Sequence, residues 1–130
     1  MEPDVDGRQQ MSEAQLYDWS VVETEQMNPL IARQVIHGDR TTVARILLKA
    51  GAFVPEHSHE NEQVSMIVSG SLKFQVAGRD QVVRAGQTLR IPPHVPHAAT
   101  AEEDCVAIDV FSPRREDWIR GDDAYLRGGR

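Results

Sequence analysis

The chain has 130 residues, enough to bury one hydrophobic core and too few for two. With 40% hydrophobic and 26% charged residues, its composition is that of an ordinary soluble globular protein. A net charge of −6 and a pI near 5.3 argue against a nucleic-acid partner, and no apolar run approaches the roughly 20 residues a membrane helix needs.

The first stretch, MEPDVDGRQQMSEAQ, is acidic and polar where a secretory leader needs a basic start and an apolar run, so a cytoplasmic location is expected. Residues 1–15 lack periodic hydrophobics and are expected to be mobile. From Asp18 onward the chain turns to short Val-, Ile- and Leu-rich runs divided by glycine or proline. LIARQVIHG and TTVARILLKAG come first, with His37, Gly38 and Asp39 as the turn between them. QVSMIVSGSLKFQVAG reads as a hairpin folding at Ser69, Gly70 and Ser71, and DQVVRAGQTLRIPP and DCVAIDVFS follow. Alternating apolar residues, as in Leu72, Phe74 and Val76, give the period of strands with one buried face. No helical periodicity stands out before residue 113. Many short strands in one small domain predict an all-β sandwich or barrel, for which a jelly roll is one solution. The segmentation that follows is a flexible 1–15, a single barrel domain over 16–112, and a C-terminal extension over 113–130. The extension is expected to form one helical turn around Trp118 and Ile119 before a loose, glycine-ended tail. The lone Cys105, in an apolar context, reads as a small buried hydrophobe.

PEHSHENEQ places His57 and His59 two residues apart, which on a strand turns both imidazoles to one side. Gln63 shares their parity if the chain stays extended. Two imidazoles on one face chelate a transition metal; as surface residues they do nothing, and an HxH pair alone leaves both readings open. A third ligand must come from elsewhere, and IPPHVPH offers His94 and His97.

The spacing of Gly51, His57, His59, Gln63 and Gly70, followed by Gly86, Pro92 and His97, resembles the paired motifs of the cupin superfamily. The first of these motifs runs G-x5-HxH-x3/4-E-x6-G and the second G-x5-P-x-G-x2-H-x3-N. The resemblance spans residues 40 to 112 or so. It implies a jelly-roll β-barrel (a double-stranded β-helix) with a metal in its mouth, held by His57, His59, Gln63 and His97. Gln63 stands where glutamate is usual, so all four ligands are neutral. A bound dication then keeps its full charge and polarises a substrate oxygen more strongly, while its own affinity drops. His94 replaces a motif glycine, either as a turn residue tolerant of the left-handed region or as an extra ligand. Ala101 replaces the terminal asparagine. Glu62, the rival of Gln63, has the wrong parity and the wrong distance to Gly70.

On the last strand the residues leave two registers open. Ala107, Asp109 and Phe111 face the interior, or Val106, Ile108 and Val110 do, and hydrophobicity favours the second. The chain also resembles the small single-domain cupins related to the pectin-degradation protein KdgF, and that resemblance implies the first. In that group an Asp-x-Phe-x3-Arg arrangement faces the substrate, here Asp109, Phe111 and Arg115. The implied activity is non-redox ring opening of 4,5-unsaturated uronates, anionic sugars from pectin and alginate breakdown, to linear keto acids. Arg115 would hold the acid group, Asp109 would act as general base or proton shuttle, and Phe111 would pack on the sugar. The cofactor is one divalent transition metal ion, Ni, Zn, Fe or Mn. Two rivals remain: a cupin dioxygenase of a small phenol or diketone, and a binding cupin without turnover. Family habit further implies a homodimer, with residues 18–37 as its pairing element. Met66 reads as a core or a cavity-lining residue.

Overall fold

The structure, a computed structural model, describes residues 13–128. Residues 1–12 of the expected mobile segment, and the last two residues of the expected tail, lie outside the described residues.

Ten strands are formed among the described residues: β1 (Glu25–Asn28), β2 (Ile31–His37), β3 (Thr42–Leu48), β4 (Phe53–His57), β5 (Glu62–Ser69), β6 (Ser71–Val76), β7 (Arg79–Arg84), β8 (Thr88–Ile91), β9 (His97–Thr100) and β10 (Cys105–Ser112). They pair antiparallel throughout, in a six-stranded sheet ordered β1-β2-β3-β10-β5-β8 and a four-stranded sheet ordered β4-β9-β6-β7. The two sheets enclose a core that includes Ile46, Leu48, Ile67, Leu72, Phe74, Ile91 and Phe111. The fold is the all-β cupin jelly roll.

The expected hairpin at Gly70 is not one. β5 pairs with β10 and β8, whereas β6 pairs with β7 and β9, so Ser69, Gly70 and Ser71 form a corner at which the chain changes sheet. Gly70 has φ +74, and a Cβ there would lie 2.0 Å from the carbonyl oxygen of Asp104, so only glycine fits. The hairpin lies one strand later, between β6 and β7, where Ala77 and Gly78 have φ 51 and 80, the two positive values of a tight hairpin turn.

β10 takes the register that puts Ala107 and Phe111 inside, at 1% and 2% exposure. Val106, Ile108 and Val110 lie on the outer face and are only partly covered. Met66, on the same outer face of β5, is 37% exposed and neither fills the core nor lines the cavity. Cys105 is buried, and burial lifts its thiol to about 11, well outside nucleophilic range.

In the C-terminal segment the expected helical turn around Trp118 and Ile119 forms, but the stretch after it is helical and docked where a loose tail was expected. Helices α1 (Glu116–Ile119) and α2 (Ala124–Gly128) fold back over the barrel mouth with Trp118 and Leu126 buried. The buried Asp123 fastens this strap, pairing with Arg33 of β2 at 2.5 Å and Arg127 at 2.9 Å. Asn28 adds a bond to the carbonyl of Leu126 at 2.8 Å. At the other end Asn61 donates to the carbonyls of Pro113 and Arg114. Helices of four and five residues joined by a turn leave no hydrophobic period to read, which is why the sequence suggests a loose tail.

Candidate metal centre

His57 ends β4 and His97 begins β9, and the two stand directly opposite each other in the ladder. Their ring centroids are 4.3 Å apart. His59 lies past the strand end, in the crossing between sheets, 5.0 Å from His97 and 5.6 Å from His57. Gln63 returns on β5 of the other sheet, so it reaches the group across the barrel and not through continued strand parity. The ligand atoms of the three histidines all lie within 4.8 Å of one another.

Each imidazole is oriented the same way. Nδ1 of His57, His59 and His97 bonds to the carbonyls of Pro55, Asn61 and Val95, at 2.8, 3.0 and 2.8 Å. A carbonyl only accepts, so Nδ1 carries the proton and Nε2 is left bare. Burial keeps the rings neutral, pulling His57 down to about 3 and His59 to about 4, with His97 lowered for the same reason. Nε2 of His97 is buried with no hydrogen-bond partner among the described residues.

Gln63 is fixed in turn. Its amide nitrogen donates to Ser65 Oγ at 2.9 Å, which points Oε1 at Nε2 of His59, 3.1 Å away. A bare imidazole nitrogen and an amide oxygen are both acceptors, and two acceptors at that distance repel unless a cation lies between them. The facing lone pairs and the orphaned Nε2 of His97 both fit a divalent transition metal.

The remaining positions sort clearly. His94 is exposed at φ 67, the geometry of a turn residue, and its amide bonds the carbonyl of His59 at 2.7 Å. Glu62 points outward to Arg90 at 2.5 Å. Ala101 is fully buried; its amide donates to the carbonyl of Ala52 and its own carbonyl accepts from the amide of Gly51.

Asp109 lines the same cavity as His57, Gln63 and His97. It stands opposite Ser65 in the β10–β5 ladder. Its Oδ1 is enclosed without a hydrogen-bond partner among the described residues. Burial raises its carboxyl to about 6, against the pull of a Ser65 hydrogen bond and the Arg115 charge. Phe111 packs edge-on to His59 at 5.7 Å and to Trp118 at 5.2 Å. Arg115 is 1% exposed, with its guanidinium carbon 4.7 Å from the Phe111 ring centre and 4.3 Å from that of Trp118. The expected carboxylate fork is occupied: Nε and Nη2 hold both oxygens of Asp117 at 2.9 and 2.8 Å.

Sequence reasoning missed Tyr125 and Asp117. Tyr125 stacks on His57 at 4.3 Å, and its hydroxyl accepts from Nη2 of Arg115 and Nε1 of Trp118 at 3.0 and 3.2 Å. Nothing in the sequence ties position 125 to position 57. Asp117, two residues after Arg115, was legible as an ion-pair partner.

A barrel of this topology with three inward histidines defines a cupin, and the Cupin domain family model matches residues 44–111, so the chain belongs to the cupin family. It is a small cupin similar to the pectin degradation protein KdgF of Dickeya dadantii, with 26% identity over 73% of this chain and 89% of that protein. The structure of KdgF from a Halomonas species superposes with a TM-score of 0.75 at 27% identity, covering 80% of this chain and 99% of that one. Acireductone dioxygenase of Bacillus pumilus is 34% identical over 52% of this chain, and the match spans only 42% of that enzyme. Among the described residues no helix is long and apolar enough to cross a membrane.

Proposed function

We propose that the chain is a metal-dependent cupin that opens the ring of 4,5-unsaturated uronates. The observation that carries this reading is Asp109, a carboxyl in the histidine-lined cavity with one buried oxygen unpartnered among the described residues and its proton affinity raised to the neutral border. A buried carboxyl is costly to keep unless it works. The match to KdgF over most of both chains supports the substrate class.

A divalent transition metal held by His57, His59, Gln63 and His97 would supply a Lewis acid for a substrate oxygen. Asp109 takes the proton of the anomeric hydroxyl. The C1 carbonyl forms, the bond between C1 and the ring oxygen breaks, and the electron pair passes into the C5 enolate. Asp109 then returns the proton to C4, leaving a linear keto acid. A carboxyl with a pKa near 6 exchanges a proton in both directions near neutral pH. Phe111 and the apolar barrel wall keep water from the enolate, and Arg115 offers the substrate's acid its positive charge. A cytoplasmic location and a homodimer complete the reading. The exposed apolar side chains of Val21 and Leu30 lie within the pairing element 18–37, and sedimentation at micromolar concentration tests the dimer.

The test is turnover of freshly made unsaturated uronate. Loss of its enol-ether absorbance faster than the spontaneous rate, absent in His97→Ala and Asp109→Ala, is expected. No acceleration by metal-loaded protein discards the sugar chemistry. The acireductone dioxygenase match favours the oxygenase as second reading, and oxygen uptake with a small diketone would establish it.

A further inference from the structure

The cavity among the histidines is narrow, with a volume of about 50 Å³. An engineered cavity of roughly 150 Å³ is what takes up benzene, so no monosaccharide fits this one as it stands. A larger groove of about 310 Å³ opens to solvent next to it, lined by His59, Glu60, Asn61 and, from the strap, Glu116, Asp117 and Arg120. Of the four candidate ligands, only His59 borders the groove. Asp117 stands between the two spaces. Asp117 lines the groove, and both its carboxylate oxygens are held by Arg115, which lines the narrow cavity.

The two partners differ in how free they are to move. Arg115 is sealed between the Phe111 and Trp118 rings and bonded by Tyr125. Asp117 sits on a four-residue helix with its side chain 29% exposed. The strap is fastened on both sides of that helix, by Asn61 before it and Asp123 after it, so the movable part is the short turn that bears Asp117.

We propose that Asp117 is a specificity-determining residue, a resident stand-in for the substrate's carboxylate that an acid entering by the groove displaces from the fork of Arg115. The inference rests on the reading of the site as one for an anionic sugar. Displacement without replacement leaves a buried guanidinium unpaired, which is the costly state. Only a ligand with its own planar anion restores the two-point bond. The exchange therefore admits acids and refuses neutral molecules of the same shape.

The test compares the Zn²⁺-loaded full chain with its Asp117→Asn variant, binding galacturonate and galactose, followed by calorimetry. Galacturonate is a stable acid that cannot undergo the ring opening. With the resident charge gone, galacturonate is expected to bind about fivefold tighter or more, and galactose equally weakly to both chains. Unchanged or weaker galacturonate binding in a folded variant overturns the proposal, as does a failure of galacturonate to bind either chain at tens of millimolar. Should the variant not fold, the wild-type chain decides. The amide of Trp118 is held by Asp117 Oδ1 at 3.0 Å, and its hydrogen exchange should speed up with galacturonate and not with galactose. Unchanged exchange at saturation overturns the proposal. Ring opening without the Asp117 effect refutes this exchange alone; the effect without ring opening leaves an acid-binding site with different chemistry.

Discussion

On the four-stranded side of the cavity, His57 and His97 stand as cross-strand neighbours, neutral near pH 7, with their Nδ1 protons tied to backbone carbonyls. On the six-stranded side and its strap, Asp109 and Arg115 bring in two charges, one of them only partly satisfied within the chain. The first wall offers lone pairs to a cation and nothing else. The second can gain or lose a proton and hold an anion. If His57 and His97 hold a metal while Asp109 and Arg115 meet the substrate, changes to either pair should leave the function of the other standing, with Gln63 on β5 the candidate ligand that the six-stranded side contributes.

The largest effect should come from the first wall. In His97→Ala, metal affinity should fall by at least about 100-fold and turnover should reach background; metal content after dialysis, measured by atomic emission, checks it. Asp109→Asn should keep the metal and lower kcat by about 100-fold or more. Retained metal with unchanged kcat would remove Asp109 from the chemistry.

The same substitution should also alter stability, with a definite sign. Asp109 has its pKa raised from 3.8 to about 6 on folding, so the native state binds the proton more tightly than the unfolded chain. The burial penalty is absent below pH 4, grows as the pH rises, and is complete above about 6, reaching ~3 kcal/mol at 1.36 kcal/mol per unit. Asp109→Asn should therefore raise the Tm of the metal-free protein by several degrees at pH 7.5 and leave it unchanged at pH 4, as thermal unfolding at the two pH values would show. The smallest expected effect joins the two walls. Ser65→Ala frees the Gln63 amide to rotate and should weaken metal binding by about tenfold, whereas Ser65→Thr or a water filling the gap should restore part of it; competitive chelator titration reads the difference.

The first wall was legible in the sequence because its information is local. Two histidines flank a single serine, a third follows a proline turn, and motif glycines hold the spacing. His94 could be read as a turn residue because few side chains other than glycine occupy φ 67 easily. The second wall was harder to read for a physical reason. β10 is apolar on both faces, since Val106, Ile108 and Val110 line the outer surface while Ala107 and Phe111 line the inner one. Hydrophobicity therefore favours the wrong register, because the outer Val106, Ile108 and Val110 are more apolar than the inner set, and only the family pattern of Asp109, Phe111 and Arg115 pointed to the observed one. The corner at Gly70 looked like a hairpin because a Ser-Gly-Ser break between strands is the same string in both; the Asp104 carbonyl that decides between them is 34 residues away. Tyr125 and the latch at Asp123 depend on partners 68 and 90 positions away, and their helices are too short to show a period.

The tethers that aim the three imidazoles come from the main chain. A point mutation can replace a side chain but cannot delete the carbonyl of Pro55, Asn61 or Val95. Ligand orientation is thus inherited with the backbone path, and the surrounding residues are free to drift as long as the barrel holds its shape. A lineage can then exchange Asp109 and Arg115 for another set of charges while the three imidazoles keep their aim.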